Sequence, residues 1–269
     1  MQIIKVPGIN NLGVNYWKLN NPKTNDGCRN AGNAVLAELG KIRDISAIEL
    51  EEIHVNNSDL NEQEKLIYEN SKQAFETGDK IIFLGGDHSI SYSTGRAFLD
   101  VFGRENSYLI IFDAHPDCMP SMKEPTHEEW LRALVEKEFN PLNVILIGLR
   151  KIELEERQFL DKNKIKYYEL SKIENFDVFC DSIMEFVNNH NSKIYVSFDI
   201  DSVDPAFAPS TGYLEPGGFT SREILYFAKR LAKLRGLKAV DLVEIDCETD
   251  KSKGNMTVKL GAKIIEGFL

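Results

Sequence analysis

Seven short runs of apolar residues punctuate the chain, and each has the length and composition of a buried β-strand. Val, Ile, Leu and Phe dominate these runs with little polar alternation, which is typical of strands covered on both faces in a parallel sheet. The predicted strands are Gln2–Val6, Lys80–Leu84, Tyr108–Phe112, Asn143–Ile147, Lys164–Tyr168, Lys193–Phe198 and Lys238–Val243.

Several stretches between these runs carry apolar residues at helical spacing. The predicted helices are Glu62–Glu76, a segment from the capping-box sequence Thr220–Glu223 to about Leu234, and the tail Met256–Leu269. Strands that alternate with helices favour an α/β fold, in which a mostly parallel sheet is covered by helices on both faces. We find no internal repeat and no low-complexity tract.

The length and charge of the chain limit the possibilities further. The 269 residues contain no Gly/Ser/Pro-rich linker, so we expect one domain spanning residues 1–269. A formal net charge of −10 disfavours binding to nucleic acid or to an anionic membrane surface. The same charge is compatible with a small cationic substrate.

The cysteine pattern and the lack of an apolar targeting segment both favour a reducing compartment. The four cysteines are scattered and form no C-x-x-C pair, so neither a disulfide framework nor a zinc ribbon is indicated. The first residues lack the apolar centre of a signal peptide, and no apolar segment has the length of a membrane span. We therefore expect a soluble cytoplasmic protein.

Carboxylates and histidines follow several predicted strands at the spacing of metal ligands. Asp113, His115 and Asp117 come directly after Tyr108–Phe112 at positions i, i+2 and i+4, which point to one face of a strand or strand-end turn. The ends of parallel strands are also the usual ligand sites of open α/β sheets. The segments concerned are Gly85–Ser89, Asp113–Asp117, His127, Asp199–Asp201 and Glu244.

Acidic groups packed this closely would repel one another unless a cation lay among them, so the pattern indicates a two-metal hydrolase site. The simpler alternative for any single Asp is a turn residue or a helix N-cap. His88, His115 and His127 all fall within or beside the segments, whereas His54 and His190 have polar neighbours and are expected at the surface. Cys118 adjoins Asp117 but would point to the opposite face of an extended segment, which favours a structural role.

Three of these segments resemble the signature blocks of the arginase/agmatinase (ureohydrolase) family, in the family's order. They are Gly85–Ser89, Asp113–Asp117 and Ser197–Pro209, and the resemblance extends from about Gly27 to Leu269. It implies a three-layer α/β/α sandwich with a mostly parallel central sheet and two Mn²⁺ per chain. It also implies hydrolysis of guanidino groups to urea and an amine, by homo-oligomers that are commonly trimers or hexamers.

The resemblance implies a ligand set as well. One manganese ion would be held by His88, Asp113, Asp117 and Asp199, and the other by Asp113, His115, Asp199 and Asp201. Asp113 and Asp199 would bridge the ions, since each oxygen of a carboxylate can serve one metal. Such a pair of cations lowers the pKa of a water molecule, which can then attack an electrophilic carbon.

Two further residues match functional positions of the family. Glu244 corresponds to the glutamate that binds guanidinium, and His127 to the histidine that carries a proton near the leaving amine. An exposed loop histidine is the alternative for His127, although acidic neighbours could equally raise its pKa. Asp87 and Asp204 are expected to form turns or support ligands rather than to bind metal.

Departures from the family pattern concern the substrate. Arginases usually carry a polar, asparagine-containing loop after the position of Asp117, where this chain has Cys118 and then Met119–Met122. His127 also lies ten positions beyond Asp117, the spacing found in agmatinase-like members. Both features favour a substrate without an amino-acid head group, such as agmatine, which would yield putrescine. Further departures from the family pattern lie at Glu128, Ser210, Leu214 and Ile245–Cys247.

Other functions remain open at this stage. Within the family, the alternatives are an arginase and a formiminoglutamase. Outside it, deacetylases share a related fold but usually hold one zinc ion and lack the carboxylate that Asp201 supplies. Metallophosphoesterases place Asp-x-His before the glycine-containing His motif, which is the reverse of the order here. A non-catalytic binding protein would be favoured if any of the six ligands were missing.

Overall fold

The chain folds around one eight-stranded sheet in which every strand pair is parallel. The structure, a computed structural model, describes residues 1–10, 25–137 and 139–269. Numbered along the chain, the strands are β1 Gln2–Lys5, β2 Glu49–Glu52, β3 Ile81–Leu84, β4 Ser107–Phe112, β5 Val144–Leu149, β6 Lys166–Glu169, β7 Lys193–Asp199 and β8 Leu237–Val243. Their spatial order is β2-β1-β3-β8-β7-β4-β5-β6.

Helices cover both faces of this sheet. Those of the described ranges are α1 Ala31–Ile42, α2 Leu60–Glu76, α3 Ile90–Phe102, α4 Trp130–Glu136, α5 Leu154–Asn163, α6 Phe176–Val187, α7 Ser221–Leu231, α8 Cys247–Asp250 and α9 Met256–Glu266. The apolar faces of α1, α6, α7 and α9 share one core cluster, and those of α2, α3, α4 and α5 share the other. The expected three-layer α/β/α sandwich is therefore confirmed.

Successive side chains of the central strands point alternately to the two faces of the sheet and so belong to different core clusters. In β3, Ile82 and Leu84 belong to the first cluster, whereas Ile81 and Phe83 belong to the second. All four side chains are buried because each face of the strand meets a helical layer. This double burial is the physical reason for the unbroken apolar runs in the sequence.

All seven predicted strands are present, and no boundary differs from its prediction by more than two residues. The sequence analysis did not predict β2, whose four residues Glu-Leu-Glu-Glu carry three carboxylates. This strand lies at the sheet edge, where charged and exposed side chains are tolerated and discourage further pairing. The predicted capping box at Thr220 is formed, but its helix ends at Leu231 rather than at about Leu234.

The motif segments follow four neighbouring central strands. Gly85–Ser89 follows β3, Glu244 follows β8, the Asp199–Asp201 turn begins at the last residue of β7, and Asp113–Asp117 follows β4. Since β3, β8, β7 and β4 are adjacent and parallel, their carboxyl ends meet at one edge of the sheet. Within the described ranges, the structure has no helix with both the length and the apolar character of a membrane span.

The turn after β3 depends on two glycines with positive φ angles. Gly85 has φ +95° and Gly86 has φ +80°. A Cβ atom added at Gly86 would collide with the carbonyl oxygen of Gly8 and lie 2.8 Å from that of Val6. The carbonyl oxygen of Gly86 also accepts a hydrogen bond from the backbone N–H of Glu244 at 3.0 Å. The turn therefore joins two motif segments.

We expect Gly86→Ala to destabilise the fold by at least about 2 kcal/mol more than Gly78→Ala. Gly78 has the same φ of +80°, but a Cβ atom there would meet no described atom within 4 Å. Both variants carry the strain of a positive φ, so the difference isolates the collision with the backbone. Urea unfolding of the two variants measures it, and equal midpoints would contradict the close packing of this turn.

Candidate metal centre

His88 lies at the centre of a group of carboxylates. Its Nδ1 atom is 3.1 Å from Oδ2 of Asp113, 3.0 Å from Oδ2 of Asp117 and 3.2 Å from Oδ2 of Asp199. Its Nε2 atom is 2.9 Å from the hydroxyl oxygen of Ser197 on β7. If Nε2 carries the proton and donates it to Ser197, the Nδ1 lone pair faces the three carboxylates.

A second group adjoins the first and shares Asp113 with it. Nδ1 of His115 lies 3.0 Å from Oδ2 of Asp201 and 3.6 Å from Oδ1 of Asp113. Asp113 thus directs Oδ2 toward His88 and Oδ1 toward His115. Ligand atoms of His88, Asp113 and Asp199 lie within 4.8 Å of one another, as do those of Asp113, His115 and Asp201. The structure brings all six predicted metal ligands together.

Backbone N–H groups hold the carboxylates in place. Oδ1 of Asp201 accepts from Ala114 N at 3.0 Å, and Oδ1 of Asp199 accepts from Asp201 N at 2.7 Å. The arrangement differs from the extended alternation that we predicted for these segments. Asp117 has a left-handed φ of +53°, and Asp201 lies in the 3₁₀ turn Ile200–Ser202. Turns rather than a pleated strand make the ligands converge.

Trp130 supports the group from the start of α4. Its indole Nε1–H donates to Oδ2 of Asp117 at 2.7 Å, and its ring centroid lies 4.6 Å from that of His88. The indole is fully buried. Trp130 therefore orients two of the predicted ligands, by a hydrogen bond to one and by ring contact with the other.

Burial and mutual repulsion raise the pKa values of two of these carboxyl groups, whereas neighbouring histidines lower the pKa of a third. Burial followed by the charges of Asp201 and Asp113 raises the pKa of Asp199 well above its usual range. Burial and the charge of Asp113 likewise raise the pKa of Asp117 to about 7. Burial also acts on Asp113, but the histidines at positions 88 and 115 outweigh it and lower its pKa. These groups cannot all be ionised without compensating positive charge.

Histidine protonation supplies part of that charge in the protein alone. Burial lowers the pKa of His88, but its contacts with three carboxylates outweigh burial and hold that pKa well above its ordinary value. A divalent cation would provide the same compensation and leave the imidazole free to act as a ligand.

The donor set fits a divalent metal. Nδ1 of His88 and Oδ2 of Asp113 are buried, and although they lie 3.1 Å apart neither has the geometry of a hydrogen bond to a described residue. A buried polar atom of this kind is costly unless a ligand completes its coordination. The donors are carboxylate oxygens and imidazole nitrogens, which suit harder ions such as manganese better than thiolate-preferring ones. Cys118 is buried, and its Sγ atom lies 3.2 Å from the carbonyl oxygen of Pro116, in agreement with a structural role.

A third group lies beside the metal ligands and contains both predicted substrate-binding residues. Ligand atoms of Asp87, His127 and Glu244 lie within 4.8 Å of one another, and all three residues are buried. Oε1 of Glu244 accepts from the backbone N–H of His88 at 2.8 Å. Burial and then the charge of Asp87 raise the pKa of Glu244 well above its usual range. A bound cation would favour the ionised carboxylate.

His127 is buried and its pKa is lowered, and both findings differ from what the sequence suggested for this residue. The residue is 5% exposed, so it is not an exposed loop histidine. Burial lowers its pKa even though Asp87 opposes the shift, which contrasts with the rise that its acidic neighbours suggested. A neutral imidazole in this position is able to accept a proton. His54 and His190, in contrast, are exposed as expected.

A cleft opens from this centre to the surface. Its lining includes His115, Asp117 and His127 at the inner end, together with Met119, Glu128, Lys151, Glu153, Glu156 and Tyr213. Of Met119–Met122, which we expected to face the substrate, only Met119 belongs to this described lining. Met122 is 44% exposed, and the Ser121 hydroxyl donates to Glu136.

Arg150 fixes the loops on one side of the cleft. Its Nη1 atom donates to the carbonyl oxygens of Gly148 and Ser202, and its Nη2 atom to those of Asp201 and Glu215. The guanidinium group therefore connects the ligand turn after β7 to the loop that carries Glu215. Asp204 forms a turn as expected, since its Oδ2 atom accepts from the backbone N–H groups of Gly217 and Gly218.

Sequence reasoning overlooked Trp130 and Arg150, which support the centre. It also overlooked Tyr213, whose ring centroid lies 5.7 Å from that of His115 and 5.9 Å from that of His127. None of them belongs to a run of ligand-type side chains. Trp130 lies three positions after His127 and Tyr213 three after Ser210, within or beside segments that were already of interest. Position in the sequence was the only available signal, because their contacts depend on loops that converge in three dimensions.

Comparisons with known proteins agree with this arrangement. The profile of the Arginase family matches residues 23–269. The chain belongs to the arginase family. An arginase from Plasmodium berghei is 29% identical to it over 242 residues, covering 75% of this chain and 67% of that protein.

Solved structures of family members share the fold. The formimidoylglutamase of Bacillus subtilis superposes with a TM-score of 0.86 at 21% identity, covering 99% of this chain and 85% of that one. The agmatine ureohydrolase of Thermoplasma volcanium gives a TM-score of 0.81 at 20% identity, covering 99% and 87%. Membership in the arginase family confirms the expectation of a metal-dependent hydrolase.

We expect Trp130→Phe to weaken manganese binding roughly 10-fold, because Asp117 loses its indole donor while the aromatic contact with His88 is largely kept. Metal content after dialysis at graded free manganese measures the change. Tyr195→Phe is the matched control, since it removes a buried donor to Asp241, which is not a predicted ligand. Unchanged manganese affinity in Trp130→Phe would contradict the supporting role.

Proposed function

We propose that this protein is a ureohydrolase with two Mn²⁺ per chain that cleaves a guanidino group to urea and an amine. The observation that carries the proposal is the juxtaposition of two groups at one sheet edge. The carboxylates around His88 and Asp113 could hold cations, and the adjoining Asp87, His127 and Glu244 offer a buried acidic site for a cationic substrate.

The proposed ligands are those implied by the sequence. His88, Asp113, Asp117 and Asp199 would hold one ion, and Asp113, His115, Asp199 and Asp201 the other. The two oxygens of Asp113 face different histidines, which supports a bridging role. For Asp199, Oδ2 faces His88 while Oδ1 accepts from Asp201 N, so its bridging role rests more on the family pattern. When bound, the two ions would lower the pKa of a water molecule and make it nucleophilic.

The residues of the chain itself would bind the substrate and manage its proton. Glu244 presents a buried carboxylate that can accept paired N–H donors from a planar guanidinium group. Its burial strengthens this attraction because little water competes. His127 lies beside Glu244, and its lowered pKa suits the uptake of a proton and its delivery to the leaving amine.

Within this class, we propose agmatine as the substrate and putrescine as the amine product. The cleft contains Met119 and several carboxylates, and its described cation, Lys151, lies 3.7 Å from Glu215. An α-carboxylate in such a cleft would meet acidic walls and a methionine rather than a matched set of donors. The two carboxylates of formiminoglutamate would be opposed more strongly. A substrate with an aliphatic tail and a positively charged end would match both the methionine and the acidic residues of the cleft.

We also propose that residues 1–269 form one domain. The sheet draws strands from Gln2 to Val243, and the C-terminal α9 packs in the same core cluster as α1. A cytoplasmic location and a trimeric or hexameric assembly remain proposals, supported by the four free cysteines and by the family pattern respectively.

A release assay on manganese-loaded protein tests the reaction. Urea is measured with agmatine, arginine and 4-guanidinobutyrate, and formamide with formiminoglutamate. We expect urea from agmatine. Formamide release without urea from any guanidino compound would replace the proposed reaction with that of a formiminoglutamase.

We expect Asp113→Ala to lose both manganese ions, because its two oxygens face the two ligand groups. His88→Ala is the comparison, since His88 belongs to one group only and should mainly weaken one ion. Metal analysis of dialysed protein gives the stoichiometry. Two ions retained per chain in Asp113→Ala would contradict the shared carboxylate.

We expect agmatine to be preferred over arginine by at least ~100-fold in kcat/KM, about 2.7 kcal/mol, because the head group of arginine would be buried without matched partners. Glu244→Gln should reduce turnover of both substrates, since both present the same guanidinium group. Specificity constants measured side by side decide the point. Equal values for agmatine and arginine would show that the cleft accommodates a zwitterionic head group.

A further inference from the structure

Glu128 is a carboxylate of the cleft to which the proposed reaction assigns no role. Its side chain is 14% exposed and belongs to the lining of the cleft beside the metal ligands. Its Oε1 atom is shielded from solvent and makes no hydrogen bond to any described residue. An ion-pair contact with Nε2 of His127, at 3.8 Å, is too long for a hydrogen bond.

The oxygens of two neighbouring acids, Glu156 and Glu129, are occupied by backbone N–H groups and one hydroxyl group. Glu156 accepts from Cys118 N and from Glu153 N, each at 3.0 Å. Glu129 accepts from the backbone N–H and the hydroxyl group of Thr126. These carboxylates brace the loops around the cleft, whereas Glu128 has an oxygen without such a role.

A carboxylate oxygen buried in this way is expensive to maintain. The loss of water is compensated only if a donor or a cation takes its place. Lys151 lies on the same cleft, and its ammonium group is 3.7 Å from Glu215. The neighbouring carboxylates Glu129, Asp117 and Glu156 repel the charge of Glu128, and His115 offsets that repulsion only in part. A cationic group brought by a ligand would satisfy both the unused oxygen and the excess negative charge.

We propose that Glu128 binds the ammonium group at the far end of a linear aminoalkyl-guanidine and so selects substrates whose tail is positively charged. This inference rests on the proposed function, in which Glu244 takes the guanidinium end, and it gives the cleft a specific partner for the other end. A charge-assisted hydrogen bond between ammonium and a poorly solvated carboxylate is among the stronger polar contacts available to a small ligand.

A purely structural role for Glu128, as a neighbour that orients His127, predicts a different outcome. His127 acts at the reacting end of every substrate, so a change in its orientation would affect ligands with charged and neutral tails equally. Contact with the tail would affect the charged ligand alone. Two ligands that differ only at that end therefore separate the roles.

The experiment compares agmatine with n-butylguanidine, which has a four-carbon chain but no ammonium group. Binding to manganese-loaded wild-type protein and to Glu128→Gln is measured by calorimetry, with urea release recorded in parallel. We expect Glu128→Gln to weaken agmatine binding by about 10- to 100-fold and to change n-butylguanidine binding by less than about 3-fold. Glu155→Gln removes the same charge from an exposed position nearby and should leave both affinities unchanged.

Each outcome has a definite meaning. Equal weakening of both ligands, or no weakening of agmatine, overturns the assignment of Glu128. If Glu128→Gln does not fold, wild-type protein still decides, because equal affinity for agmatine and n-butylguanidine would overturn it as well. Agmatine that binds in a Glu128-dependent manner but releases no urea would contradict the proposed reaction while supporting the cation site.

Discussion

The structure depends on one electrostatic constraint, which is the burial of many carboxylates at the ends of four adjacent parallel strands. Asp113, Asp199 and Asp201 lie within a few ångströms of two histidines, and the rest of the fold keeps them there although they repel one another. Backbone N–H groups and imidazoles relieve part of the repulsion, as the opposed pKa shifts of Asp113 and Asp199 show. Divalent cations would relieve the remainder, so the same feature that destabilises the protein alone prepares the metal centre.

Rigid surroundings make this concentration of charge possible. The Gly85–Gly86 turn brings β3 against the start of the Glu244 segment, and Arg150 connects the ligand turn after β7 to the loop of Glu215. Of the four described non-glycine residues with positive φ, two, Asp117 and Glu244, lie in this centre, whereas Lys164 and Asn255 lie beside helix ends. Strain of this kind persists only where surrounding contacts determine the backbone, and it is often found at functional sites.

The metal centre belongs to the shared fold of the family, whereas two residues that line the cleft depart from the family pattern. A formimidoylglutamase and an agmatine ureohydrolase superpose on this chain about equally well, so the shared fold does not select a substrate. In the proposed function, selection depends on the walls of the cleft, to which Met119 and Glu128 belong. The position of Glu128 explains how a departure from the family pattern could serve recognition, because the residue lines the cleft together with the predicted metal ligands His115 and Asp117.

The sequence by itself determined the parts that depend on local pattern and on side-chain chemistry. Unbroken apolar runs identified the buried strands, and ligand-type residues after those runs located the candidate metal centre. The family resemblance then implied the six ligands that the structure brings together. The edge strand β2 escaped prediction because its exposed glutamates follow no burial pattern. Only the tertiary structure decided the contacts between distant loops: the bond from Trp130 to Asp117, the burial of His127, and the placement of Glu128 in the cleft. Those contacts depend on strand order and on turns with positive φ angles. The spacing of residues along the chain predicts neither.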